Sequence, residues 1–209
     1  MRLPSSKRST SRLATYSPCS WRRTSLAGRR AVFIDRDDTL MEDVVYCHDP
    51  DDVRLLPGAA QCLRTLADAG FLIVIATNQS GIGRGYFTES DLEAVHERLR
   101  SQLRNEGGEF HAIYYCPHRP EDGCDCRKPK PGLILRAASD LGIDLGASYS
   151  IGDREWDVEA GRAAGTRTIL VTNGHARRER MCRADHVATG LEDASRFILS
   201  SRKERGSTA

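Results

Sequence analysis

The chain has 209 residues, 39% hydrophobic and 29% charged, which suits one soluble, globular α/β domain of ordinary size. Its formal net charge of +2 hides an asymmetry: residues 1–30 carry eight Lys and Arg and no acid, while the remainder has 23 basic against 29 acidic residues. The folded part is therefore acidic, no nucleic-acid surface is expected, and the lack of any run of 18 apolar residues excludes a membrane-spanning helix.

Residues 1–29 are rich in Ser, Thr and Arg and contain no apolar signal core, so they are not a secretory signal. Such a composition cannot bury a core, and a disordered basic extension is expected; a transit peptide or a non-native upstream start are the alternatives. The domain is expected over 30–200, with a polar tail at 201–209. "AVFID" (31–35) reads as a buried parallel strand ending in an acid, followed by the polar loop "MEDVVYCHDPDDVRLL". Pro57 opens a helix that Gly70 stops. "FLIVIATN" (71–78) is a second strand and "SGIGRGYF" a glycine-rich loop. Thr88 with Asp91 forms a capping signal for a helix to about Asn105. "HAIYYC" (111–116), "SYSIGD" (148–153) and "TRTILVT" (166–172) read as further strands, "DHVA" (185–188) as a short edge strand. "PGLILRAASDLG", "REWDVEAGRAAG" and "LEDASRFILS" read as helices. The alternation predicts a Rossmann-like parallel sheet with helices on both faces.

Ligands of such sheets sit beyond the carboxyl ends of the strands, so the residues found there indicate the chemistry. The first strand ends in Asp35 and Asp37, the second in Thr77 and Asn78, and the fourth in Asp153, with Asp157 as a further acid. The third leads through a cysteine loop to Arg127 and Lys128. Clustered carboxylates repel one another unless a hard cation joins them, which points to Mg²⁺. A cation, a hydroxyl and an amide opposite that metal suit phosphoryl transfer. No GxxxxGK[ST] loop occurs, which argues against a nucleotide kinase. In the Asp-x-Asp pair, Asp35 can attack phosphorus while Asp37 serves as acid and base.

Cys116, His118, Cys124 and Cys126 place three thiols and an imidazole within eleven residues. This closed four-donor set suits a structural tetrahedral Zn²⁺; free thiols or a disulfide are the alternatives, and a redox motif is disfavoured by the Cys-x-Cys spacing. Seven cysteines, an odd count, point to a reducing cytoplasm rather than a disulfide framework. Cys62 reads as core, and Cys47 with His48 as no more than a remote candidate for a second metal. Cys19, Cys182, His111, His175 and His186 give no signal. His96 reads as a helix-surface residue and Trp156 as packing. Arg84, Arg119 and Lys130 lie in rim loops, and Arg84 and Arg119 rank as candidates to hold a second phosphate.

"VFIDRDDTL", "VIATNQ", "RKP" and "SIGDREWD", in this order, resemble the four motifs of the haloacid-dehalogenase-like phosphatases. More narrowly, "NQSGIGRGYFTE", "IYYCPH" and "CDCRKPKPG" resemble the D-glycero-D-manno-heptose 1,7-bisphosphate 7-phosphatase family, across roughly residues 30–175. The resemblance implies a Rossmann-like fold without a large cap domain and hydrolysis of a phosphorylated sugar with Mg²⁺. It implies Asp35 as nucleophile, Asp37 as acid/base, and Thr77 and Lys128 as phosphoryl stabilisers. It places Mg²⁺ on Asp35, Asp153 and the carbonyl of Asp37. Arg36, Asp43, Tyr46, Asn78, Gln79, Ser80, Arg127 and Arg154 match substrate-contacting positions. Asp38 stands where the family usually has glycine. The Cys-x-His-x5-Cys-x-Cys spacing matches the related histidinol-phosphatases better, which keeps histidinol phosphate open as a substrate. A zinc-stabilised binding module without catalysis is a third reading. A monomer is the expectation for oligomeric state.

Overall fold

The apolar run before Asp35 forms β1 (Ala31–Ile34), and all four residues are buried. A strand apolar on both faces has to be covered on both. A computed structural model of the chain, which describes residues 28–173 and 183–206, shows the cover. β1 joins β2 (Leu72–Asn78), β3 (Ala112–Cys116), β4 (Tyr149–Gly152), β5 (Arg167–Val171) and β6 (His186–Ala188) in one sheet. The spatial order is β3-β2-β1-β4-β5-β6, and every pairing is parallel. Each strand end falls within one residue of its sequence expectation.

The helices are α1 (Ala59–Asp68), α2 (Ser80–Gly83), α3 (Glu89–Asn105), α4 (Gly132–Leu141), α5 (Glu155–Ala164) and α6 (Leu191–Gly206). Leu63 and Leu66 of α1, Val95 and Leu99 of α3, and Leu191 and Ile198 of α6 cover Val32 and Ile34 on one face. Leu133 and Ile134 of α4 and Ala160 and Ala164 of α5 cover Ala31 and Phe33 on the other. Successive strand residues point to opposite faces, so β1 feeds both cores. Each fully buried Leu, Ile or Val stabilises by about 1.5–3 kcal/mol. Several per helix therefore hold the layers in place.

Three expectations are corrected. The first helix begins at Ala59, not at Pro57, because Gly58 turns the chain with φ +80°. The glycine-rich loop contains the short helix α2, and Gly81 is required there for close approach: a Cβ would lie 2.1 Å from the Phe87 ring. α6 continues to Gly206, so the tail expected from 201 is helical for its first residues.

The loop after β1 is pinched shut by backbone bonds from Leu56 N to Leu40 O (3.0 Å) and from Glu42 N to Arg54 O (2.9 Å). It builds no cap domain over the sheet. Among the described residues no helix is long and apolar enough to cross a membrane. The extension at 1–27, with Cys19, and the segment holding His175 and Cys182 lie outside the described residues, as do 207–209. The sheet order reverses direction at β1, which opens a crevice at its carboxyl end.

Thr88 caps α3 as expected, accepting from Asp91 N while Asp91 Oδ2 accepts from Thr88 N at 2.8 Å. Thr88→Ala is expected to lower the unfolding free energy by about 1 kcal/mol, measured by urea denaturation.

Candidate active site

β4 continues its pairing one residue past β1, because Asp35 N donates to Ile151 O at 3.0 Å. This sets Asp35, at the end of β1, close to Asp153, at the end of β4. Asp35, Asp37, Thr77, Lys128 and Asp153 all line one cleft of about 290 Å³, together with Asp43, Asn78, Arg127, Arg154 and Trp156. The residues gathered from four separate motifs thus share one wall.

The Lys128 ammonium forms the centre of that wall. Its Nζ lies 2.6 Å from Asp35 Oδ1 and 2.5 Å from Asp157 Oδ1, and donates to Ala76 O at 2.8 Å. All three charged side chains are almost wholly buried. Burial pushes the Asp35 carboxyl well above the usual range; Lys128 opposes the shift, and Asp157, Asp37 and Asp153 add to it. Burial also disfavours the Lys128 ammonium, but Asp157 and Asp35 outweigh it and raise its pKa.

Asp157, named in the sequence only as a further acid, therefore belongs to the centre. Its other oxygen, Oδ2, caps α5 by accepting from Arg154 N at 3.1 Å. Gly152 makes room for it: a Cβ there would sit 2.3 Å from Asp157 Cβ. One oxygen from each of Asp35, Asp153 and Asp157 lies within 4.8 Å of the others. Three carboxylates face the Lys128 ammonium and, at Asp153, the partly exposed Arg154 guanidinium, so the buried all-oxygen donor set stays net negative, which fits a hard divalent cation.

Asp37 is held apart from this cluster. Its Oδ1 accepts from Arg36 Nε (3.0 Å) and NH2 (2.8 Å). Its Oδ2 accepts from Gln79 Nε2 (2.8 Å) and Thr77 Oγ1 (3.3 Å). Two carboxylates two residues apart thus have separate partners.

Several sequence expectations are relocated. Arg36 does not reach the cleft; it is 1% exposed and turns inward to Asp37 and His96. His96 is buried, not on the helix surface. Gln79 is also buried and braces Asp37. Asn78 lines the cleft but uses its amide to clamp Lys128, accepting from Lys128 N (3.1 Å) and donating to Lys128 O (3.2 Å). Tyr46 packs edge-on to Tyr86 at 4.7 Å, and neither Tyr46 nor Ser80 lines the cleft. Trp156 is a cleft wall with 46% exposure, not a packing residue. Arg154 pairs with Asp153 (2.8 Å), Asp43 (3.8 Å) and Asp38 (3.9 Å). Burial raises the Asp43 pKa, with Asp37 and Asp38 adding to the rise. Neither Arg84 nor Arg119 lines the cleft, and Arg119 is taken by Asp122 and Glu121. Cys47 and His48 belong to none of the metal-competent clusters among the described residues.

The cysteine loop closes on itself beside this cleft. Cys126 Sγ lies 3.3 Å from Cys116 Sγ, 3.5 Å from Cys124 Sγ and 3.3 Å from His118 Nδ1. Cys116 Sγ lies 3.6 Å from both Cys124 Sγ and His118 Nδ1. A disulfide needs about 2.05 Å, so these are free thiols. The Cys126 thiol is drawn down to about 5, chiefly by its hydrogen bond with Cys116. Lys130 Nζ donates to Gly123 O (3.0 Å) and Cys124 O (2.7 Å), and Arg127 NH1 to His118 O (3.4 Å). The basic run is thus fastened to the loop that precedes it.

A parallel sheet with paired aspartates beyond its central strand, and a threonine, a lysine and an aspartate beyond its neighbours, is the arrangement of a haloacid dehalogenase-like hydrolase. The HAD-hydrolase-like family model matches residues 125–194. The D-glycero-beta-D-manno-heptose-1,7-bisphosphate 7-phosphatase of Haemophilus ducreyi is 42% identical over 180 residues, covering 82% of this chain and 99% of that one. A probable D-glycero-D-manno-heptose-1,7-bisphosphate 7-phosphatase of Thermoplasma volcanium is 47% identical over 125 residues, 60% of this chain and 86% of that one. The crystal structure of the D,D-heptose 1,7-bisphosphate phosphatase from B. bronchiseptica, complexed with magnesium and phosphate, superposes with a TM-score of 0.76. It is 33% identical, and the match covers 82% of this chain and 99% of that one. The chain belongs to the D-glycero-D-manno-heptose 1,7-bisphosphate 7-phosphatase family.

Lys128→Met leaves buried carboxylates without their cation and is expected to lower the unfolding free energy by about 3 kcal/mol at neutral pH. Adding Asp157→Asn should recover part of that loss in the same urea titration; a variant as stable as the parent would contradict the charge balance described for this centre.

Proposed function

We propose that this protein is a Mg²⁺-dependent phosphatase that removes the 7-phosphate of D-glycero-D-manno-heptose 1,7-bisphosphate and releases the heptose 1-phosphate. The relatives' names support the substrate. The chemistry is carried by one observation: Asp35 and Asp37 open on the same cleft, one paired to Lys128 and the other braced by Arg36, Thr77 and Gln79. Asp35 attacks phosphorus, and the bond from phosphorus to the sugar oxygen breaks. Asp37 gives its proton to that departing oxygen. Asp37 then takes a proton from water, which attacks the aspartyl-phosphate, frees inorganic phosphate and restores Asp35. The Lys128 charge and the Thr77 hydroxyl, beside the phosphoryl group, stabilise the negative charge on its oxygens. Asp35, Asp153 and the carbonyl of Asp37 would hold Mg²⁺, which would supply neutralisation of the phosphate charge. Arg127, Arg154, Asp43 and Asn78 are the substrate-facing residues, with Trp156 as an added wall.

Cys116, His118, Cys124 and Cys126 hold a structural Zn²⁺ in this reading. A tetrahedral ion with bonds of about 2.3 Å to sulfur needs ligand separations of roughly 3.8 Å, close to the 3.3–3.6 Å found. Free thiols in this number support a reducing compartment, the cytoplasm. The short cysteine loop favours histidinol phosphate as a second substrate reading.

Phosphate release from the heptose bisphosphate and from histidinol phosphate separates the two: a strong preference for the heptose compound is expected, and the reverse overturns the substrate. No release from either, or from a broad panel with Mg²⁺, would leave a binding module. Asp35→Asn should reduce turnover by roughly 10⁴-fold with an unchanged fold by circular dichroism. Elemental analysis should find one zinc per chain, and chelation should lower the thermal midpoint.

A further inference from the structure

A guanidinium with 1% exposure is uncommon, and the reaction above gives Arg36 nothing to touch. Its three nitrogens reach two partners. The Nε and NH2 edge grips Asp37 Oδ1, and NH1 meets His96 Nε2 at 3.3 Å. Arg has no acceptor and does not lose its proton. The nitrogen of His96 that faces it must therefore be the acceptor, so the proton sits on Nδ1 and the ring is neutral. Burial pushes His96 well below the usual range, and Arg36 and Arg100 push the same way. Around this pair, Tyr115 of β3 faces the His96 ring at 6.0 Å, and Arg100 is occupied by Phe110 O (3.1 Å), Glu97 and Glu109.

We infer that His96 and Arg36 form a relay that positions the Asp37 carboxyl group, protonated for this step, to give its proton to the departing sugar oxygen, with His96 fixing Arg36 and Arg36 fixing Asp37. Both are positioning residues, since neither reaches the cleft. The fork on Oδ1 sets one edge of the carboxylate, and the bonds from Gln79 and Thr77 to Oδ2 set the other. Neutral His96 is suited to this place because a charged ring would repel the guanidinium. The inference rests on Asp37 being the acid/base of the proposed reaction.

That role gives a test that ordinary destabilisation would not mimic. An alkyl phosphate needs a proton on its leaving oxygen, whereas p-nitrophenolate leaves at neutral pH without one. The ratio kcat/KM reports the steps up to that departure. Arg36→Met should lower kcat/KM for the heptose bisphosphate by roughly 10²-fold, the usual contribution of a general acid. The loss on p-nitrophenyl phosphate should be at least ten times smaller, about 10-fold or less. His96→Leu should show the same selective loss at smaller size, and His96→Gln, whose amide oxygen can accept from Arg36, should restore much of it. Thermal midpoints taken alongside identify a variant that fails to fold, in which case the His96 pair decides. Equal losses on both substrates, or no loss on the heptose compound, overturn the relay. A wild-type protein inactive on both compounds overturns the phosphatase reading and the relay with it.

Discussion

The Lys128 ammonium is almost wholly buried at the wall of the cleft, between Asp35 and Asp157, with the Ala76 carbonyl as a third partner. An isolated charge so placed costs several kcal/mol, and so would either carboxylate. Each is tolerable only because the others are there. That mutual dependence fixes where the ends of β1, β2 and β4 stand relative to α5, and it makes the rim a single unit. It also keeps Asp35 poised between two tendencies. Burial favours its neutral form, while Lys128 favours the carboxylate that the proposed attack on phosphorus requires.

Such a centre needs Lys128 delivered with little freedom, and a strand end and a loop provide this. Asn78 grips the lysine backbone from the end of β2. From the other side, the cysteine loop leaves β3 at buried Cys116, folds back on itself, and is laced to the basic run by Arg127 and Lys130. The four soft donors and the cations that follow them are contiguous because the first device sets the position of the second. A flexible loop could carry the same charges, but it would lose conformational entropy on ordering each time substrate arrived.

Much of this was legible in the amino-acid order. Buried parallel strands announce themselves as unbroken apolar runs, and the Thr88–Asp91 box is a local signal, so strands and α3 fall where expected. The site's chemical residues were legible because each ends a strand, and a parallel sheet brings such ends together. What was not legible depends on side-chain direction. His96 lies among charged residues on α3, and nothing local says that its face meets Arg36. Arg36, Gln79 and Ser80 follow motif residues closely, yet two of them turn inward and one lies off the cleft. Asp157 sits four residues beyond Asp153, the separation at which a helix can bring a side chain back over its own entry; Gly152, small enough to let it approach, was the available clue. Trp156, one residue away, takes a different direction on the helix and forms a half-exposed wall of the cleft.

Asp38 adopts φ +55°, and its carbonyl accepts from Asn173 Nδ2 at 2.6 Å. Only glycine enters this region freely, and among other residues asparagine and aspartate do so at the least cost. The restriction is one of backbone shape, imposed where the chain reverses between Asp37 and the pinched loop. Position 38 should therefore tolerate glycine and asparagine while rejecting valine or isoleucine, although its side chain has no part in the proposed reaction. A residue can thus look catalytic by its intolerance to substitution and its place beside Asp35 and Asp37, when the chain has reserved it for a bend.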